Sequence, residues 1–189
     1  MPLLPAAARR PSPWKNGGGA TTEIAVSPEG ADLGGFDWRI SMARVERDGP
    51  FSEFPGVDRT LCVVEGDLIL EVAGQPVVRL GPTSPPFAFA GDAPTFGRLP
   101  GGVVVDLNVM TRRGRFVAEV TRLDLSRPTE IAPHGEAVLI ALEGGFEVEA
   151  PDGRASLGRH DAWRGGNGRW RLAPAVGKAT AVLIELRKA

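Results

Sequence analysis

The hydrophobic residues of this chain fall in short runs set apart by glycines and prolines, 25 and 17 of them. Runs of β-branched and apolar residues bounded by such breakers predict strands. The predicted strands are 21–26, 36–46, 60–65, 67–72, 75–80, 86–89, 102–110, 115–123, 137–142, 145–149, 154–157, 161–163, 170–172 and 179–186. No stretch holds a 3.6-residue period long enough for a stable helix, so helix is confined to a short turn near the N-terminus or around Phe51–Phe54. The expected fold class is all-β.

One pattern recurs. Leu61-Cys62-Val63-Val64-Glu65-Gly66-Asp67-Leu68-Ile69-Leu70-Glu71-Val72 is matched 78 residues later by Leu139-Ile140-Ala141-Leu142-Glu143-Gly144-Gly145-Phe146-Glu147-Val148-Glu149-Ala150. Both read as hairpins turning at Glu-Gly. Arg98-Leu99-Pro100 before Val104–Asn108 is echoed by Arg171-Leu172-Ala173-Pro174 before Leu183–Arg187. Two landmarks at a nearly constant offset predict duplication of one β-domain. The boundary falls near 112–116, giving domains 1–113 and 114–189. Two tandem antiparallel barrels or jelly rolls are expected, because closure or doubling protects strand edges.

Composition narrows the function. The 189 residues carry 22 basic and 23 acidic side chains, so no electrostatic footprint for nucleic acid or an anionic membrane is present. A single cysteine, Cys62, excludes an intrachain disulfide and suits a reducing compartment; it reads as a core strand residue. The N-terminal Met-Pro-Leu-Leu-Pro-Ala-Ala-Ala-Arg-Arg places its charges after a short, proline-broken apolar stretch, unlike a signal peptide. A cytoplasmic protein with no membrane span is expected.

Trp14-Lys15-Asn16-Gly17-Gly18-Gly19 precedes a strand, so it is neither a P-loop nor a dinucleotide fingerprint, both of which open a helix. This run, with Phe36-Asp37-Trp38-Arg39-Ile40-Ser41-Met42-Ala43, Asp48-Gly49-Pro50-Phe51-Ser52-Glu53-Phe54-Pro55-Gly56-Val57-Asp58-Arg59, Val105-Asp106-Leu107-Asn108-Val109-Met110 and Arg112-Arg113-Gly114, resembles the HutD/Ves family of bicupins. The resemblance implies a soluble bacterial protein of two cupin barrels of the RmlC-like type. Many members are associated with the regulation of histidine utilisation, and the Ves branch with cold and stress response. No established catalytic activity is implied.

Alternation along the strands places Arg39, Ser41 and Ala43 on one face, Arg59 with Leu61 and Val63, and Asp106 and Asn108 with Val104 and Met110. Arg39, Arg59 and Asp106 therefore sit among apolar neighbours, either as an ion-pair network fixing the barrel or as a ligand site. A guanidinium fork grips a carboxylate through two parallel hydrogen bonds. The expected ligand-binding set is Asn16, Arg39, Ser41, Arg59, Asp106 and Asn108, with Arg59 as the carboxylate clamp. The amides of Gly17–Gly19 would add an anion nest, and Lys15 and Thr22 are weaker candidates.

Many cupins hold iron, manganese or zinc through a His-x-His pair, a Glu and a later His. The corresponding stretch here, Phe54–Arg59, has no imidazole. His134 and His160, with Asp161 or Glu136 as nominal third ligand, lie in loop-like segments of the second half. No metal or other cofactor is expected, and no Gly-x-Ser-x-Gly elbow suggests acyl transfer. The expectation is a metal-free bicupin whose first barrel binds a small carboxylate metabolite such as urocanate or formylglutamate, the second barrel being structural. Competing expectations are a metal-independent isomerase or lyase using Asp106 as base, and a protein-interaction scaffold.

Overall fold

The computed structural model of the chain describes residues 2–189; Met1, the first residue of the range expected for the first barrel, lies outside them. In chain order the elements are β1 (Leu3–Leu4), a 3-10 turn (Ala6–Ala8), β2 (Ser12–Pro13), β3 (Gly19–Ser27), β4 (Trp38–Val45), β5 (Gly49–Pro50), β6 (Val57–Glu65), β7 (Leu68–Val72), β8 (Val78–Leu80), β9 (Phe87–Ala90) and β10 (Thr95–Arg98). They continue with β11 (Val104–Arg112), β12 (Phe116–Leu125), β13 (Thr129–Ile131), β14 (Glu136–Glu143), β15 (Phe146–Ala150), β16 (Gly153–Leu157), β17 (Ala162–Gly165), β18 (Trp170–Pro174) and β19 (Ala179–Lys188). The all-β pattern of the sequence is what forms, and among the described residues the only helical turn is the short one near the N-terminus. The short strands β1, β2, β5, β10 and β13 carry too few apolar residues to show a period, and the sequence pattern does not predict them.

Two compact units result, one of residues 10–116 and one of residues 117–188 together with residues 2–9. In the first unit a six-stranded sheet, β2-β3-β4-β11-β6-β9, and a four-stranded sheet, β5-β10-β7-β8, enclose Leu61, Val63, Leu68, Leu70, Val72, Leu80, Phe89 and Val104. Leu61, Leu68 and Leu70 are wholly buried. Each stabilises the barrel by roughly 1.5–3 kcal/mol relative to an exposed side chain.

In the second unit the sheets are β1-β17-β14-β19-β12 and β13-β18-β15-β16, around a core that includes Ala137, Leu139, Ala141, Phe146, Trp163, Trp170, Ala181 and Leu183. The first residues of the chain belong here: Leu3 and Leu4 pair with Trp163 and Ala162 of β17. The Ala6 amide donates to Asp161 Oδ1 at 2.7 Å, and Arg9 donates to the carbonyls of His160 and Leu4.

The duplication extends to defects. The β6–β11 ladder shifts register between Val105 and Asp106, and the β14–β19 ladder between Ala141 and Glu143, so a bulge interrupts each hairpin strand just before its Glu-Gly turn. Both turn glycines adopt positive φ, +80° at Gly66 and +67° at Gly144. A Cβ on Gly66 would come within 2.6 Å of the Val103 carbonyl oxygen, and one on Gly144 within 2.7 Å of that of Lys178. Only glycine tolerates both the conformation and the approach.

The register corrects the second landmark. Asp106 lies opposite Val63, while Ala181 lies opposite Ala141; Asn108 lies opposite Leu61, while Leu183 lies opposite Leu139. Val104–Asn108 therefore corresponds to 179–183 and not to Leu183–Arg187. Apolar strands resemble themselves at any even shift, so sequence alone misplaces them by whole residue pairs; the bulge sets the true register.

Candidate functional site

The inner face of the six-stranded sheet in the first unit carries polar groups in successive layers. Asp106 sits between Ala43 and Val63, Asn108 between Ser41 and Leu61, and Met110 between Arg39 and Arg59. Side chains directly opposite on antiparallel strands have Cβ atoms about 4.5–5.5 Å apart. Five of the six expected residues, Arg39, Ser41, Arg59, Asp106 and Asn108, are thus brought to one face.

Arg59 is 5% exposed. Its Nε donates to Asn108 Oδ1 at 3.4 Å and its Nη1 to the Ser52 carbonyl at 3.2 Å. The guanidinium carbon lies 5.3, 5.6 and 5.0 Å from the ring centroids of Phe51, Phe54 and Phe89. Gly97 makes room for this cage, because a Cβ there would fall 2.8 Å from the Phe51 ring. Among the described residues nothing accepts from Nη2. Burial lowers the Arg59 pKa to about 10, against the opposing pull of Asp106.

Asp106 is 2% exposed and pairs with no cation among the described residues; its Oδ2 is buried without a donor. Burial raises its pKa to about 7, while the Arg59 charge pulls it down. The expected ion-pair network joining Arg39, Arg59 and Asp106 is not what forms. Arg39 pairs instead with Glu23, Nε to Oε2 at 2.8 Å, and its Nη1 donates to Ser41 Oγ at 3.3 Å.

Magnitudes separate stability from function here. A buried charge without an ionic partner costs several kcal/mol, and cation–π contacts return up to about 2 kcal/mol each when desolvated. Three such contacts and two hydrogen bonds offset that cost at Arg59, whereas nothing donates to Asp106 Oδ2. The second unit shows that the fold does not need them, since Ala137, Ala181 and Leu183 occupy the positions of Arg59, Asp106 and Asn108.

Asn16 stands apart from this set. It is exposed in the turn from β2 to β3, where its Oδ1 accepts the Gly18 amide at 3.0 Å. The adjoining Gly19 pairs with Val45, six residues along β4 from Arg39, about 20 Å at ~3.3 Å per residue. The anion nest is closed as well: Gly17 N donates to the Trp14 carbonyl at 3.0 Å and Gly18 N to Asn16. Gly19 is required because a Cβ would collide with the Arg44 carbonyl oxygen. Lys15 is exposed in the same turn, and Thr22, opposite Met42, faces away from Ser41.

The residues missed from sequence are Ser52, Phe51, Phe54, Phe89 and Glu23. Three of them stand in the Asp48–Arg59 motif, in a non-periodic segment that gives no strand signal. As for metal ligands, Glu136 bonds Arg164 and Asp161 accepts the amides of Ala6 and Gly158. Among the described residues no three His, Cys, Asp or Glu side chains form a metal-holding group, and no helix is long and apolar enough to cross a membrane.

Two tandem antiparallel barrels, one with a polar inner face, define a bicupin. The chain belongs to the HutD family, whose model matches residues 6–184. It is 42% identical over 113 residues to a protein of Pseudomonas putida described as an uncharacterized 21.2 kDa protein in the hutC 3′ region, a match spanning 59% of this chain and 58% of that protein. It is 31% identical over 166 residues to Protein Ves of Cronobacter sakazakii, covering 87% and 88% of the two chains. The solved structure of HutD from Pseudomonas fluorescens SBW25, obtained in a formate condition, superposes with a TM-score of 0.83 at 28% identity, over 99% of this chain and 98% of that one. A cupin 2 conserved barrel domain protein from Leptotrichia buccalis, 10% identical with a TM-score of 0.60 over 88% of each chain, shares the fold.

Proposed function

We propose that the first barrel binds a small carboxylate-bearing metabolite of the urocanate or N-formylglutamate class, and that this binding serves the control of histidine utilisation. The observation that carries the reading is Arg59: a buried guanidinium held by Asn108, Ser52 and three phenyl rings, with Nη2 unengaged, at a position the second barrel fills with alanine. Nη2, with the second N–H of Nη1, can donate to a carboxylate in two charge-assisted bonds. The relative in the hutC 3′ region and the likeness to HutD support the metabolic context. The near-neutral net charge favours a small partner over nucleic acid.

Arg59→Lys keeps the charge but not the planar two-point contact, so carboxylate affinity should fall at least tenfold, a loss of about 1.5–3 kcal/mol. Calorimetric titration of both proteins with urocanate and N-formylglutamate, alongside melting curves, reads this out. Equal affinities, or no binding by the unaltered protein, would remove the assignment.

A second reading rests on Asp106. A desolvated carboxyl group titrating near neutrality suits a general base, and the same pocket would then carry out a metal-independent isomerase or lyase step on the bound acid. Following each metabolite by NMR during prolonged incubation distinguishes turnover from binding.

A further inference from the structure

We propose that Asp106 is a proton acceptor coupled to ligand capture, so that a carboxylate binding at Arg59 enters the barrel together with a proton that settles on Asp106. The inference rests on the carboxylate-binding reading and adds what the neighbouring acid does.

The geometry leaves Asp106 one electrostatic ally. On its own strand the neighbouring inward residues are Val104, Asn108 and Met110. From β4 come Ala43, Ser41 and Arg39, from β6 Arg59, Leu61 and Val63, and from β3 Glu23. The opposite sheet presents Leu68, Leu70, Val72, Leu80 and Thr95, none ionisable over the neutral range. Arg39 is already neutralised by Glu23 at 2.8 Å. Arg59 is therefore the one charge that favours the ionised form of Asp106, acting against complete burial and an oxygen that lacks a donor.

A carboxylate seated on Arg59 cancels that charge and brings a second anion to the same face. Each change disfavours the ionised form of Asp106, so its affinity for a proton must rise when the ligand binds. By reciprocity, a rise in proton affinity on ligand binding means that ligand affinity falls as the proton is withdrawn.

The free protein holds Asp106 near pH 7, so at pH 7.5 it is mostly ionised, and binding should take up about 0.7 proton by linkage. N-formylglutamate is the probe, because both of its carboxyl groups are fully ionised there and the ligand itself contributes no proton. Titration calorimetry in two buffers of different ionisation enthalpy gives the uptake directly. Affinity should also fall progressively from pH 6.5 to pH 8.5, approaching tenfold per pH unit at the upper end. Carbon-13 NMR of the aspartate carboxyl groups should show one resonance, lost in Asp106→Asn, moving to its protonated position on saturation. Binding with no proton taken up, a pH-independent affinity, or a carboxyl resonance that stays ionised would overturn the proposal and leave the carboxylate reading intact. No binding of either N-formylglutamate or urocanate would sink both.

Discussion

Asp106→Asn stabilises the folded protein at pH 8 by about 1–3 kcal/mol and leaves it nearly unchanged at pH 4, when stability is measured by urea unfolding across that range. The cause is the burial of a carboxyl group without a cationic partner. Its folded pKa of about 7 stands above the ordinary 3.8. Between these values the native state holds a proton that the unfolded chain has released. The stabilising contribution is therefore full below about pH 4, declines as the pH climbs, and has gone once the pH passes 7. The span is about 4 kcal/mol, at ~1.4 kcal/mol for each tenfold change in proton affinity. Asparagine keeps the shape and cannot ionise, so its curve should lose that slope; the gain is smaller than the full span because the amide also lacks partners. A wild-type stability that rises from pH 5 to pH 8 would show that Asp106 is held ionised.

Gly66→Ala and Gly144→Ala should each cost at least about 2 kcal/mol, with no need for either residue to touch a ligand. The left-handed conformation alone strains an alanine by roughly 1–2 kcal/mol. The remainder comes from the contact of the added Cβ with the Val103 or Lys178 carbonyl oxygen, which belongs to backbone and cannot rotate away. Thermal unfolding of the two variants should show comparable losses, since bulge, turn and approach are repeated in both units. A melting temperature within a degree of the parent for either variant would refute the argument from backbone approach.

The hairpins around Gly66 and Gly144 were legible because their chemistry is local: an apolar run, a Glu-Gly turn and a second apolar run. The inward placement of Arg39, Ser41, Arg59, Asp106 and Asn108 was legible because period-2 alternation within a strand fixes which side chains share a face. What failed was long-range or irregular. Asn16 and its glycines looked like an anion nest because a sequence does not show that their amides are already engaged by Trp14 and by Asn16 itself. The Phe51, Phe54 and Phe89 cage was hidden because its members come from an aperiodic segment and a separate strand. The partner of Arg39 proved to be Glu23, one strand away, where the β3–β4 ladder shifts register between Glu23 and Ala25. That defect leaves no mark in the composition.

The seating of the N-terminal residues in the second unit also orders events during synthesis. The Ala6 amide and its acceptor Asp161 are separated by 155 residues. At about 5–20 residues per second, a ribosome makes the acceptor roughly 8–30 s after the donor. Residues 10–116 are complete well before then. β1 therefore has no partner strand until β17 has been made, after every residue of the first barrel is in place.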